Sequence, residues 1–163
     1  MREQLTKSDV EKIQEEIEYR KLVVRKNAIE AVKEARAHGD LSENFEYHAA
    51  KKDKNQNESR IRYLERMLKT AEVIDDSSAD NEVGINNTVT LYCEDDDETE
   101  VYKLVTSVRG SSLNGRISIE SPMGKALLGH RVYIEVQPGA GYYVEIKKID
   151  KTGESEEDTI RKF

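Results

Sequence analysis

At 163 residues, with charged and hydrophobic side chains each making up 36% of the chain, the protein is too apolar for a disordered tail and too polar for one thick core. One or two small domains with much solvated surface are expected. A net charge of −7 excludes a protein whose affinity comes from wrapping nucleic-acid phosphates, and a single cysteine, Cys93, excludes an intrachain disulfide or a Cys-rich zinc site.

The charge is unevenly spread. Residues 1–76 carry 16 basic against 17 acidic side chains and the remainder 10 against 16, so a densely charged, nearly neutral first half precedes an acidic second half. The N-terminus has no apolar signal core, and no apolar run reaches the ~18–20 residues needed to cross a bilayer. A soluble cytoplasmic protein is expected.

Ser8-Asp9-Val10-Glu11 has the form of a capping box and predicts a helix start. Behind it Val10, Ile13, Ile17, Val24, Ala28, Ala31 and Ala35 recur at threes and fours, with one seven-residue step from Ile17 to Val24. That is a narrow stripe suited to a coiled-coil seam. After a break at 37–44, Tyr47, Ala50, Lys54, Asn57, Ile61, Leu64, Leu68 and Ala71 continue the register, interrupted by polar Lys54 and Asn57. Polar seam residues usually fix register; they also serve where a hairpin meets a partner. Gly39 is the only glycine before Gly84, so the two segments have one place to reverse and should form an antiparallel hairpin over residues 1–76.

The reversal is acidic. Asp40 and Glu43 have two readings: local caps at the start of the second helix, worth ~0.3–1 kcal/mol each, or carboxylates presented at the end of a rod to a hard cation such as magnesium. His38 and His48 flank them without a metal-ligand spacing and read as surface residues. Arg36, Lys51, Lys52, Lys54, Arg60 and Arg62 lie on the stem, either as solvated flanks or as contacts to a phosphate backbone.

Residues 77–81 read as a linker, after which helical spacing gives way to alternation. Strands are predicted over 88–92, 101–108, 116–120, 131–136 and 142–149, with a short helix after Ser121-Pro122 that ends at Gly129. The acidic run 94–98 reads as a solvated hairpin loop. The fold class is therefore α+β: a helical coiled-coil hairpin followed by a small, mainly antiparallel sheet domain with one short helix over 82–163. No Ser-His-Asp or Cys-His constellation and no phosphate-binding glycine loop is present.

Two stretches carry a resemblance. Ala35-Arg36-Ala37-His38-Gly39-Asp40-Leu41-Ser42-Glu43-Asn44, followed by Glu46-Tyr47-His48-Ala49-Ala50-Lys51, closely resembles the coiled-coil tip of bacterial Gre transcript-cleavage factors, the GreA branch in particular. Gly115-Arg116-Ile117-Ser118 with Ser121-Pro122-Met123-Gly124-Lys125-Ala126-Leu127-Leu128-Gly129 resembles the signature of that family's C-terminal domain, whose fold is similar to FK506-binding proteins. The resemblance implies a monomeric partner of bacterial RNA polymerase that docks through the second domain, with Ser121, Pro122, Gly124, Ala126, Leu127 and Gly129 as polymerase-binding residues. It implies that the coiled coil enters the secondary channel, where Asp40 and Glu43 act on the 3′ end of backtracked nascent RNA. There they would help hold a Mg2+ ion shared with the polymerase, supported by Arg36, Ser42 and Asn44; the isolated protein would bind no cofactor and be no enzyme alone. Phe45 stands where a small residue is usual in that pattern, Asp53 where glutamine is, Ser59 where glycine is, and Tyr133-Ile134 where Gly-Asp is. The alternatives are a Gre-like paralogue that occupies the channel without stimulating cleavage, and a coiled-coil adaptor with a prolyl-isomerase sheet domain. The absence of tryptophan tells against the second.

Overall fold

The structure, a computed structural model, describes residues 2–39, 44–130, 133–135, 143–153 and 159–161. Its contacts divide the chain into two units, one of residues 10–71 and one that joins residues 3–9 to the chain from Glu72 onward.

In the first unit α1 (Lys7–Tyr19) runs through a π-helical segment (Arg20–Val24) into α2 (Arg25–Arg36), and α3 (Phe45–Thr70) packs against it. The π segment coincides with the seven-residue step in the apolar stripe. At that level Arg20 Nη1 donates to Asn57 Oδ1 (3.1 Å), and Asn57 Nδ2 donates to the Arg20 carbonyl (3.3 Å), which also accepts from the Arg25 amide. Asn57 thus satisfies its buried amide on the opposite helix, the register-fixing role of a polar seam residue.

One turn further along α3, Arg60 is only 2% exposed. Its guanidinium forks onto Glu16 (2.8 and 3.3 Å), which also pairs with Arg20 at 2.7 Å. Arg60 is therefore a structural residue, not the solvated flank or phosphate contact its sequence suggested. Burial works to raise the Glu16 pKa, but the hydrogen bonds and charges of Arg60 and Arg20 outweigh it and hold the carboxyl below its ordinary value. The apolar seam holds Ile13, Ala35, Tyr47, Ile61 and Leu64 inside, with Met67 added. Ala31, expected there, is exposed.

In the second unit, β1 (Gln4–Leu5) pairs in parallel with β2 (Glu72–Val73), through Glu72 N–H to the Glu3 carbonyl and Ile74 N–H to the Leu5 carbonyl, both 2.8 Å. The main sheet has the order β5-β4-β3-β7-β6, with β3 Thr88–Cys93, β4 Glu98–Val105, β5 Arg116–Ser118, β6 Tyr133–Glu135 and β7 Tyr143–Asp150. Its β3–β4, β3–β7 and β6–β7 pairings are antiparallel and β4–β5 is parallel. The expected strand at 101–108 starts earlier and ends at Val105, where a 3-10 turn (Ser107–Arg109) takes over; positions 131, 132, 136 and 142 of two predicted strands lie outside the described residues.

Alternation works as expected in β3: Val89, Leu91 and Cys93 point inward to Leu104, Ile119, Leu127, Val144 and Ile146. Leu127 comes from α4 (Pro122–Leu127), whose Ser121 Oγ accepts from Gly124 N–H at 3.0 Å, with Pro122 in the first turn and Gly129 at φ +81° beyond its end. A side chain at Gly124 is barred by backbone: a Cβ would lie 2.8 Å from the Ser118 carbonyl carbon and 2.9 Å from Ile119 Cα.

The start of α1 differs from expectation. Thr6, not Ser8, forms the capping box, with Thr6 N–H donating to Asp9 Oδ2 (3.0 Å) and Asp9 N–H to Thr6 Oγ1 (3.2 Å). Asp9 and Arg109 are 0% and 1% exposed; Asp9 Oδ2 also accepts from Thr106 Oγ1 (2.7 Å), and Oδ1 lies 2.5 Å from Arg109 Nε. Two overlapping box patterns stood two residues apart, and a buried ion pair with a residue one hundred positions away selects the first. Residues 77–81, read as a linker, are held by Lys151, whose Nζ donates to the Ala79 carbonyl (3.0 Å), the Glu82 carbonyl (2.9 Å) and Asn87 Oδ1 (2.8 Å).

Candidate functional site at the hairpin tip

The tip is where α2 ends and α3 begins. Ala37 N–H donates to the Lys33 and Glu34 carbonyls and His38 N–H to that of Ala35, closing α2. Gly39 then takes φ +145°, a backbone region that L side chains rarely adopt. No atom lies within 4 Å of a Cβ built there, so the requirement for glycine is conformational and not steric.

Asp40, Leu41, Ser42 and Glu43 lie outside the described residues. On the far side Asn44 is the N-cap of α3: its Oδ1 accepts from Tyr47 N–H (3.0 Å), and its Nδ2 donates to the Ala35 carbonyl (2.6 Å). One side chain thus starts α3 and ties it to the end of α2. The N-cap of α3 is therefore Asn44, while the capping read for Asp40 and Glu43 falls on residues outside the described ones.

The flanking residues are paired across the same joint. The Arg36 guanidinium lies 5.5 Å from the centroid of the Tyr47 ring, and its hydrogen bond holds that phenol below its ordinary pKa. His38 Nδ1 lies 3.0 Å from Glu46 Oε2, and that hydrogen bond and charge, with Glu34 adding to them, hold the imidazole above its ordinary value. His48 packs its ring at 5.5 Å against Tyr47. Both histidines are surface residues, and among the described residues no group of three or more His, Cys, Asp or Glu side chains could hold a metal ion.

The residues proposed to meet a partner on the second unit divide in two. Gly124 and Leu127 are buried and build the α4 turn, whereas Pro122 and Gly129 are exposed beside Lys125 and Leu128; Ser121 and Ala126 are half-buried. A partner at this turn would meet the second set. The loop after β3 is solvated as expected, with Tyr92 Oη donating to Asp97 at 2.5 Å.

Residues 3–73 match the family described as "Transcription elongation factor, N-terminal", and residues 78–151 match "Transcription elongation factor, GreA/GreB, C-term". The chain belongs to the GreA/GreB transcription elongation factor family. It is 40% identical over 148 residues to the transcription elongation factor GreA of Bacillus subtilis (strain 168), covering 89% of this chain and 94% of that one. It is 46% identical over 126 residues to GreA of Brucella anthropi, covering 77% and 80%. Among solved structures, GreA factor homolog 1 (Gfh1) of Thermus thermophilus matches at 27% identity and a TM-score of 0.44, over 91% of this chain and 99% of that one. The helical hairpin followed by a sheet domain is the arrangement expected from sequence, and no helix among the described residues is long and apolar enough to cross a membrane.

Proposed function

We propose that this GreA/GreB-family elongation factor binds bacterial RNA polymerase in the cytoplasm as a monomer, enters its secondary channel with the hairpin tip, and stimulates the polymerase's own cleavage of backtracked RNA. The observation that carries the reading is Asn44. It caps α3 and ties it to the end of α2, so the start of α3 already has its cap, which supports reading the two nearby acids, Asp40 and Glu43, as serving a partner.

Their carboxylate oxygens are the hard donors that magnesium takes, but two fall short of its near-octahedral set, so the remaining donors must come from the polymerase. A magnesium ion held between the two proteins would supply charge stabilisation and an activated water for hydrolysis of the RNA backbone. Asp40 and Glu43 are the proposed ligands. Arg36, held against Tyr47 at the end of α2, and Ser42 and Asn44 are the proposed supporting residues. In this reading the cleavage chemistry belongs to the polymerase, and the chain is not an enzyme alone. On the second unit, Pro122, Gly129 and the half-buried Ser121 and Ala126 form the proposed docking turn, with Gly124 and Leu127 shaping it from inside.

The test is RNA shortening in a stalled, backtracked elongation complex, comparing wild type with Asp40→Ala plus Glu43→Ala at concentrations where both bind. The proposal expects shortening with wild type and none above background with the double variant. Binding of the wild type without shortening would make the protein a channel-occupying regulator.

A further inference from the structure

Phe45, the first residue of α3, is 86% exposed. A large apolar ring in that condition is conspicuous because its surroundings are polar: Asn44 precedes it, Glu46 and His48 follow within one turn, and His38 faces Glu46 across the joint. The neighbouring aromatic, Tyr47, turns inward against Arg36. Among the described residues Phe45 is therefore the one exposed phenylalanine or tyrosine ring at the tip.

Its backbone is fixed. Asn44 anchors the helix start to Tyr47 N–H on one side and to the Ala35 carbonyl on the other, so the ring springs from a rigid point two residues after Glu43. Among the described residues no other large apolar side chain is exposed beside it, and a ring so placed is a poor centre for a protein–protein patch, which needs contiguous apolar surface around its anchor. It suits a flat π partner of similar size. An unstacked nucleobase is such a partner: single-stranded nucleic acid is recognised by stacking its bases on exposed aromatic side chains, and the stack tolerates any base.

Resting on the proposed function above, we infer that Phe45 is a base-stacking residue that takes the nucleobase at the 3′ end of the backtracked RNA. Stacking there orients the terminal nucleotide relative to Asp40 and Glu43 without reading its identity.

Two arms test this with the full-length chain on backtracked polymerase complexes. In the first, Phe45→Ala and Phe45→Leu slow RNA cleavage about tenfold, the scale of one lost base stack, while Phe45→Tyr retains the wild-type rate. An abasic 3′ nucleotide removes the difference between wild type and Phe45→Ala. Because the side chain is exposed, all three variants keep the wild-type melting temperature. In the second arm, 4-thiouridine at the RNA 3′ end, in complexes held in chelator so that no cleavage occurs, crosslinks on irradiation to the peptide containing Phe45. Phe45→Leu loses that crosslink while binding equally well.

Full activity in Phe45→Leu, or a Phe45→Ala defect that persists with the abasic end, would mean that the ring meets a protein wall and would overturn the inference. If wild type accelerates no cleavage yet gives the Phe45 crosslink, stacking stands and the cleavage reading falls. Absence of both overturns both.

Discussion

Replacing Asp9 by Asn removes one charge from a fully buried site while keeping the side chain's shape. The carboxylate serves three partners within the sheet unit: the Thr6 amide, the Thr106 hydroxyl and the Arg109 guanidinium. An amide oxygen can still accept from Thr6 or Thr106, so the capping loss is small, but the guanidinium, itself 1% exposed, keeps its charge without this counter-charge. Breaking a buried pair on one side costs about 3–5 kcal/mol, against a total of roughly 5–15 kcal/mol for a typical domain. Asp9→Asn should therefore lower the urea midpoint of the sheet signal in circular dichroism by about a fifth or more. Arg109→Met should do the same from the other side. The double variant removes both charges at once, and neutral replacements of a buried pair are often nearly neutral, so it should be more stable than either single variant. A loss below about 1 kcal/mol in Asp9→Asn, or a double variant whose cost equals the sum of the singles, would refute the reasoning.

Asn44→Ala removes a cap worth about 0.5–2 kcal/mol and a cross-tip hydrogen bond worth about 0.5–1.5 kcal/mol, so the helical signal at 222 nm should melt about 1–3 kcal/mol earlier in urea. Asn44→Asp keeps the cap and loses only the donor, so it should cost less; equal stability of Asn44→Ala and wild type would contradict both roles of Asn44. Gly124→Ala gains up to about 1 kcal/mol of helix preference, but its Cβ meets the rigid Ser118–Ile119 backbone. A net loss of about 1–3 kcal/mol is expected, and an unchanged melting temperature would contradict it. Glu16 has a depressed pKa, so its contribution is complete above its unfolded value near 4.5 and is lost as pH falls through the lower folded value. Urea midpoints of wild type and Glu16→Gln should therefore converge on acidification; a gap that stays constant from pH 7 to pH 3 would exclude the linkage.

The hairpin, the main strand β3 and the caps of α4 were legible in the sequence because each rests on local signals: heptad spacing, alternation, and the Ser-Pro and Gly129 boundaries of the short helix. The register fixed by Asn57 was legible as a polar interruption, and the π segment as a seven-residue step, although its meaning needed the partner helix. What could not be read locally depends on distant pairing. Strands β1 and β2 are two residues each and exist only because the two ends of the hairpin meet. Arg60 looks like any stem cation until Glu16, 44 positions away, turns out to hold it inside. At the tip, Asn44 is a good cap by residue type, but its second bond, from the amide to the Ala35 carbonyl of the other helix, shows only in the fold.

The measurement that bears most directly on the tip acids is the magnesium dependence of RNA cleavage in a backtracked complex, with and without factor. The account predicts that wild type lowers the magnesium concentration giving half-maximal cleavage. Asp40→Ala plus Glu43→Ala, still bound to polymerase, should return it to the factor-free value. Undiminished stimulation by the double variant, or a wild-type effect that leaves the magnesium dependence unchanged, would contradict it.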